Sequence, residues 1–143
     1  MDKTQYKNMI LTREEVIATV KSARDNGETP NLRQADLWWV DLNEANLQGA
    51  DLSQAYLRRA GLNQTNLQGS DLSEADLSGA DLRGANLRHA ELSRADLHES
   101  DLRHADLRET DLRETNLRRA KYNDGTMWPT NFDPRQADAI HSV

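Results

Sequence analysis

Cysteine is absent from this chain of 143 residues, phenylalanine occurs once and proline three times. Without thiols there is no disulfide, no thiolate metal site and no cysteine nucleophile, and the redox state of the compartment leaves no mark on the sequence. Long apolar runs are missing too. At the start of the chain only Met9, Ile10 and Leu11 are contiguous, too few for a signal-peptide core or a membrane span, so a soluble cytoplasmic protein with no membrane partner is expected. Positive charge is in deficit: 18 Lys and Arg face 24 Asp and Glu, giving a net charge of -6 and a pI near 5.2. General nucleic-acid binders are usually basic, so nucleic acid is not an expected partner.

Catalytic and metal-binding patterns are also missing. No nucleophile elbow, phosphate loop or Gly-rich dinucleotide turn occurs. His89, His98, His104 and His141 share neither a column nor a helical i, i+4 spacing, whereas zinc requires three or four ligands converging at bonding distance. They are read as surface histidines. No catalytic residue, cofactor-binding residue or metal ligand is assigned, and neither a cofactor nor an enzymatic activity is expected.

What the chain has in abundance is leucine at a fixed interval. A mean hydropathy of -0.88 with 29% charged residues would suit a disordered chain, but leucine occupies every fifth position from Leu32 to Leu117, eighteen in a row, and Tyr122 continues the frame. Two residues before each of these centres stands a small residue, twelve times Ala, with Val40 and Pro30 the larger departures. Immediately before the centre comes Asp ten times and Asn five times. On a helix turning about 100° per residue, a five-residue step rotates each leucine by about 140°, so no single buried face results. On one continuous strand an odd step sends successive leucines to opposite faces. The pattern is satisfied by a chain that bends once per repeat, so that every segment turns its leucine and its small residue inward, and stacked turns of such a coil make a solenoid.

The A-[DN]-L-x-x array from Pro30 to Asp124 resembles the pentapeptide-repeat family. The resemblance implies an all-β solenoid, a right-handed quadrilateral β-helix with four repeats per coil. Nineteen repeats at four per coil give 4.75 coils, a rod of roughly 23 Å at ~4.8 Å per stacked strand. The predicted structural core includes Leu52, Leu57, Leu62, Leu67, Leu72, Leu77, Leu82 and Leu87. Gly49, Gly69, Gly79 and Gly84 fall two after a leucine, the corner position where a type II turn needs positive φ.

Open-ended solenoids expose apolar rungs and need caps. Three segments are expected: an N-terminal segment 1–29 with an α-helical cap, the β-helix 30–124, and a C-terminal cap and tail 125–143. Thr12 with Glu15 forms a capping box before a helix of about residues 13–24, whose Val16, Ile17, Val20 and Ala23 share one face. That face is expected to cover the first coil near Leu32 and Leu37. The C-terminal "KYNDGTMWPTNFDP" keeps an apolar residue in frame at Met127 and Phe132 and reads as a plug. Asp133 and Pro134 open a candidate short helix carrying Ala137 and Ile140.

Positions twenty apart stack in columns on the outer surface. Asp51, Asp71, Glu91 and Asp111 form one acidic column. It reads either as Asp bonding backbone donors at the turns or as a stripe imitating DNA phosphates, as the resemblance suggests for gyrase-protecting members of the family. Against the second stand 17 acids and 12 bases between residues 30 and 124, where duplex DNA carries one negative charge per ~1.7 Å. Arg83 with Arg103, and Arg88 with Arg108, form basic columns that read either as a patch for an acidic partner or as solvated, charge-mixed surface. Trp38 and Trp39 point outward with Tyr56 nearby, a candidate partner-binding patch unless the N-terminal helix folds over them. The function expected is a rigid, non-enzymatic scaffold or protein-protein interaction module of unknown partner; the alternative is a DNA-mimicking effector of gyrase or topoisomerase. A homodimer through the C-terminal cap is a further expectation.

Overall fold

The computed structural model describes residues 10–143; the first nine residues of the N-terminal segment, Met9 among them, lie outside the described residues. Parallel bridges recur at a spacing of twenty residues, from Asn31↔Asp51, Asp36↔Tyr56, Asp41↔Gly61 and Asn46↔Asn66 up to Asp101↔Lys121. The chain therefore returns above itself every fourth repeat, and each repeat is one side of a square.

The backbone shows why five residues suffice for a side. Leu52 N–H donates to Asp71 O one coil on (2.7 Å), and Asp71 N–H donates back to Ala50 O (3.0 Å). These bonds fasten the short extended part of the side. The corner follows at once: Ala55 N–H closes onto Leu52 O (3.1 Å), a four-residue turn. Its third residue has positive φ at all eighteen corners, from 55° at Gln64 to 70° at Gly49. Only four of those corners carry glycine, so the left-handed conformation is imposed by the coil at fourteen residues that bear a side chain.

Two columns of side chains per side fill the interior. All eight core leucines from Leu52 to Leu87 are fully buried, with the small residues between them. Thr65 is accommodated inside because its Oγ1 donates to Leu42 O (2.8 Å). Leu112, in the last coil, is only partly buried.

At the N-terminal end Ile10 bridges Asp36, and Leu11 N–H donates to Asp36 O (2.9 Å). Helix α1, Arg13–Asp25, begins at Thr12, whose Oγ1 accepts from Glu15 N–H (3.2 Å) while Glu15 Oε2 accepts from Thr12 N–H (3.3 Å). It buries Val16 and Val20, but Ile17 remains 40% exposed and Ala23 is half-buried. The helix also sits further round the coil than the vicinity of Leu32 and Leu37. Arg13 donates to Asp41 O (3.0 Å) and Asn43 O (3.1 Å), and Arg24 donates to Gln48 O (3.1 Å). The reason is the open edge. One coil higher, the matching carbonyls of Gly61, Asn63 and Gln68 accept from the backbone below, and in the first coil two guanidinium groups supply those donors instead.

At the C-terminal end the five-residue frame slips by one. Met127, not residue 126, bridges Asp106. Thr126 takes the small inward place, its Oγ1 donating to Leu102 O (2.9 Å), and Met127 takes the outward Asp place. Trp128 then occupies the leucine place, so the expectation of Met127 and Phe132 as in-frame centres is corrected. The extra residue lies in the Asn123–Gly125 bend, where Asn123 Oδ1 accepts from both His104 N–H and Gly125 N–H. Trp128 stacks on Phe132 (centroids 5.1 Å) and meets the edge of Tyr122 (5.7 Å). The 3-10 helix Pro134–Ala137 follows, and Ile140 belongs not to it but to strand β2 (Ile140–His141), which pairs in parallel with β1 (Lys121–Tyr122).

Candidate functional site

The outer columns stack as the twenty-residue period requires, and their side chains are engaged mainly with their own repeats. In the acidic column, Asp51 Oδ1 accepts from Ser53 N–H (3.0 Å) and Oγ–H (2.6 Å), and Asp71 Oδ1 accepts likewise from Ser73 (2.9 and 2.6 Å). Asp111 Oδ1 accepts from Arg113 N–H (3.1 Å), and Glu91 stands exposed between them. Three of the four carboxylates thus turn back onto the loop that follows them.

The basic columns are largely neutralised by the same device. Arg83 grips Asp81 through Nε (2.8 Å) and Nη2 (2.7 Å), Arg103 grips Asp101 (2.9 and 2.6 Å), and Arg108 grips Asp106 (2.9 and 2.7 Å). Arg113 with Asp111 and Arg135 with Asp133 repeat the pattern. The geometry follows from D-x-R on one side: Asp before the centre and Arg after it project outward from an extended segment, close enough for a two-pronged contact. Sequence reading by columns missed this, although the D-x-R spacing was there to be seen. Arg88 differs, because Asn86 stands two before it; its Nη2 lies 3.9 Å from Glu109, a carboxylate that His89 Nε2 approaches to 2.5 Å.

The pairing shows in the acidities. The Arg113 side chain, then its backbone N–H, bring Asp111 down to about 2. Arg83 lowers Asp81, Arg108 lowers Asp106 and Arg135 lowers Asp133, in each case chiefly through the side-chain hydrogen bond. For Asp101, burial pushes upward most strongly, yet the Arg103 contacts together outweigh it.

The aromatic residues present a different surface. Trp38, Trp39 and Tyr56 are 42%, 65% and 49% exposed, so α1 does not cover them. Trp39 N–H donates to Arg58 O (3.1 Å), which sets the two coils side by side, and the Arg59 guanidinium lies 5.1 Å from the Trp39 ring centroid. Among the described residues no cluster of His, Asp and Glu is arranged to hold a metal, and no helix is long and apolar enough to cross a membrane.

The five-residue signature itself is decisive: the family model for pentapeptide repeats matches residues 30–59, 50–88 and 90–121 in eight copies. The chain belongs to the pentapeptide-repeat family. Among solved structures, this pentapeptide-repeat protein is similar to Rfr23 from the cyanobacterium Cyanothece 51142, with 42% identity and a TM-score of 0.66 over 67% of this chain and 65% of that one. It therefore spans slightly under two thirds of that relative's length. Similarity extends to alr5209 from Nostoc Pcc 7120, with 32% identity over 92% of this chain and 98% of that one at a TM-score of 0.41. QnrB1, a plasmid-mediated fluoroquinolone resistance protein, matches at 15% identity over 75% of this chain and 67% of that one, with a TM-score of 0.47. No curated protein matches the chain. Pentapeptide-repeat proteins are quadrilateral β-helices and generally serve as structural or interaction modules.

Proposed function

We propose that this pentapeptide-repeat protein is a non-enzymatic, cytoplasmic scaffold that docks a partner protein on the outer face carrying Trp38, Trp39 and Tyr56. The right-handed β-helix and its helical N-terminal cap serve to hold that face rigid. The observation that carries the reading is the exposure of all three large aromatics on neighbouring coils, since Trp and Tyr at the centre of a contact dominate binding energy. The last coil offers a second contact. Leu112 and Phe132 border a groove of about 350 Å³, and Ile140 is exposed beside the cap, a surface suited to a second copy of the chain.

A DNA-mimicking effector of gyrase or topoisomerase is the second reading. It draws on the stacking of Asp51, Asp71, Glu91 and Asp111 and is weakened by the turning back of three of them. The test compares the wild-type protein with Trp38→Ala/Trp39→Ala in affinity capture, with a gyrase supercoiling assay in parallel. A partner retained by the wild type and lost by the variant supports the docking face. Equal retention removes that face from the assignment. Inhibition of supercoiling that disappears when Asp51, Asp71 and Asp111 become Asn would favour DNA mimicry instead.

A further inference from the structure

Arginine is handled in two ways on this surface. Where Asp stands two residues before it, as in Asp81–Arg83, Asp101–Arg103, Asp106–Arg108 and Asp111–Arg113, the guanidinium is held by its own repeat. In the repeat of Leu57 the Asp place is taken by Tyr56, so Arg58 has no such carboxylate. Among the described residues neither Arg58 nor Arg59 has a carboxylate within 4.0 Å, and neither side chain donates a hydrogen bond. One substitution in the repeat therefore does two things: it adds an aromatic ring to the face and frees the cation beside it.

The neighbouring coils preserve this arrangement. Arg59 lies over Trp39, a contact that orients the guanidinium without neutralising it. Its stem passes over Gly79, where an added Cβ would meet Arg59 Cγ at 3.1 Å. The two arginines line a depression of about 70 Å³ together with Ser78, Gly79, His98 and Glu99. Two of the acids around the patch are engaged with other partners: Asp76 accepts from Ser78 N–H and Oγ–H (3.0 and 2.6 Å), and Glu99 lies 3.6 Å from His98 and 3.7 Å from Arg119. Asp36, one coil before Tyr56 in the same column, is half-buried, with its Oδ1 enclosed and without a hydrogen-bond partner among the described residues. The chain carries a net charge of -6, yet among the described residues neither guanidinium on this face is held in an ion pair, and both stand beside three exposed rings.

We propose that the docking face binds an acidic peptide segment of a partner protein, its apolar or aromatic side chains on Trp38 and Trp39 and its carboxylates on Arg58 and Arg59. This rests on the docking-face reading above and specifies the partner's chemistry. Stacking rings with arginine also suit single-stranded nucleic acid, but a chain of this net charge repels a polyphosphate over the rest of its surface, whereas a short acidic segment meets only the patch.

A random peptide library displayed on phage is panned against the full chain, and synthetic peptides from the enriched sequences are titrated while tryptophan fluorescence is followed. The expected peptides are rich in Asp and Glu. Their affinity is expected to fall about tenfold or more in Arg58→Glu/Arg59→Glu and to vanish in Trp38→Ala/Trp39→Ala, with both variants melting like the wild type because all four positions are exposed. Neutral or basic peptides that need the tryptophans but ignore the charge reversal would overturn the acidic partner and leave the docking face standing. Enrichment independent of Trp38 and Trp39, or no enrichment, would overturn both. Binding of an oligothymidylate at moderate salt as tight as the best peptide would overturn the proposal in favour of a base-stacking platform.

Discussion

At the corner of each side a single residue adopts a conformation that most amino acids avoid. The left-handed region costs a residue with a Cβ about 1 kcal/mol relative to glycine, and fourteen corners carry such residues. At most turns the inward leucine before the corner and the small residue after it are buried, so the corner has little freedom to relax. Gly69, at φ 67°, has nothing within 4 Å of an added Cβ, which isolates the backbone effect from packing. Gly69→Ala is expected to destabilise the protein by about 1 kcal/mol, read as a lower urea midpoint at unchanged slope. Glu44 has φ 61° and an exposed side chain. In Glu44→Gly the relieved strain and the added unfolded-state entropy are of similar size, and stability within about 0.5 kcal/mol of the wild type is expected. Glycine marked four corners in the sequence. The other fourteen were invisible because the conformation there is dictated by stacking, and no local preference of Arg, Glu or His announces it.

Along each side, the element made of Asp, Leu and the next residue is where charge and fold meet. The alternation of inward and outward positions was legible from the period alone, and so were the backbone-capping roles of Asp51 and Asp71. Hidden from a reading by columns was the pairing within a repeat, because stacking at twenty residues draws attention to Arg83 above Arg103 rather than to Arg83 beside Asp81. The frame slip before Trp128 was equally hidden: Met127 and Phe132 are apolar at the expected interval, and only the inward hydroxyl of Thr126 and the bridge of Met127 to Asp106 show the true register. The intrarepeat pairs predict a response to acid. Asp81, Asp101, Asp106, Asp111 and Asp133 all release their protons more readily in the folded chain than a free carboxyl does. Their contribution is complete above the unfolded-state value of about 3.9 and is lost as pH falls through their lowered values, reaching about 2 for Asp111. Thermal melting followed by circular dichroism is expected to be level from neutral pH to about 4 with respect to these pairs and to decline below it. Arg113→Ala removes the larger cause of the Asp111 shift and keeps the backbone N–H bond, so the part of the decline between about 4 and 2 that belongs to this pair should shrink.

For the whole molecule, the period means that no coil is stable by itself. Each side bonds only to the sides directly below and above, so a break in the middle separates two short stacks that must each present an open end. Leu82 is fully buried with a coil on either side, whereas Leu112 is partly buried beneath the incomplete last turn. A carboxylate at position 82 would be enclosed by leucine with no cation or donor available, and burying an unpaired charge costs several kcal/mol, a large part of the ~5–15 kcal/mol that holds a domain folded. Leu82→Asp should therefore lose its cooperative melting transition altogether. Leu112→Asp leaves its carboxylate within reach of water through the groove beside Phe132, and the coils below keep their bonds; a lowered but cooperative transition is expected, with the loss confined to the C-terminal coil in hydrogen exchange. Equal unfolding of the two variants would mean that the last coil is as integral as the middle one, and that stability is shared globally instead of being summed from coil to coil.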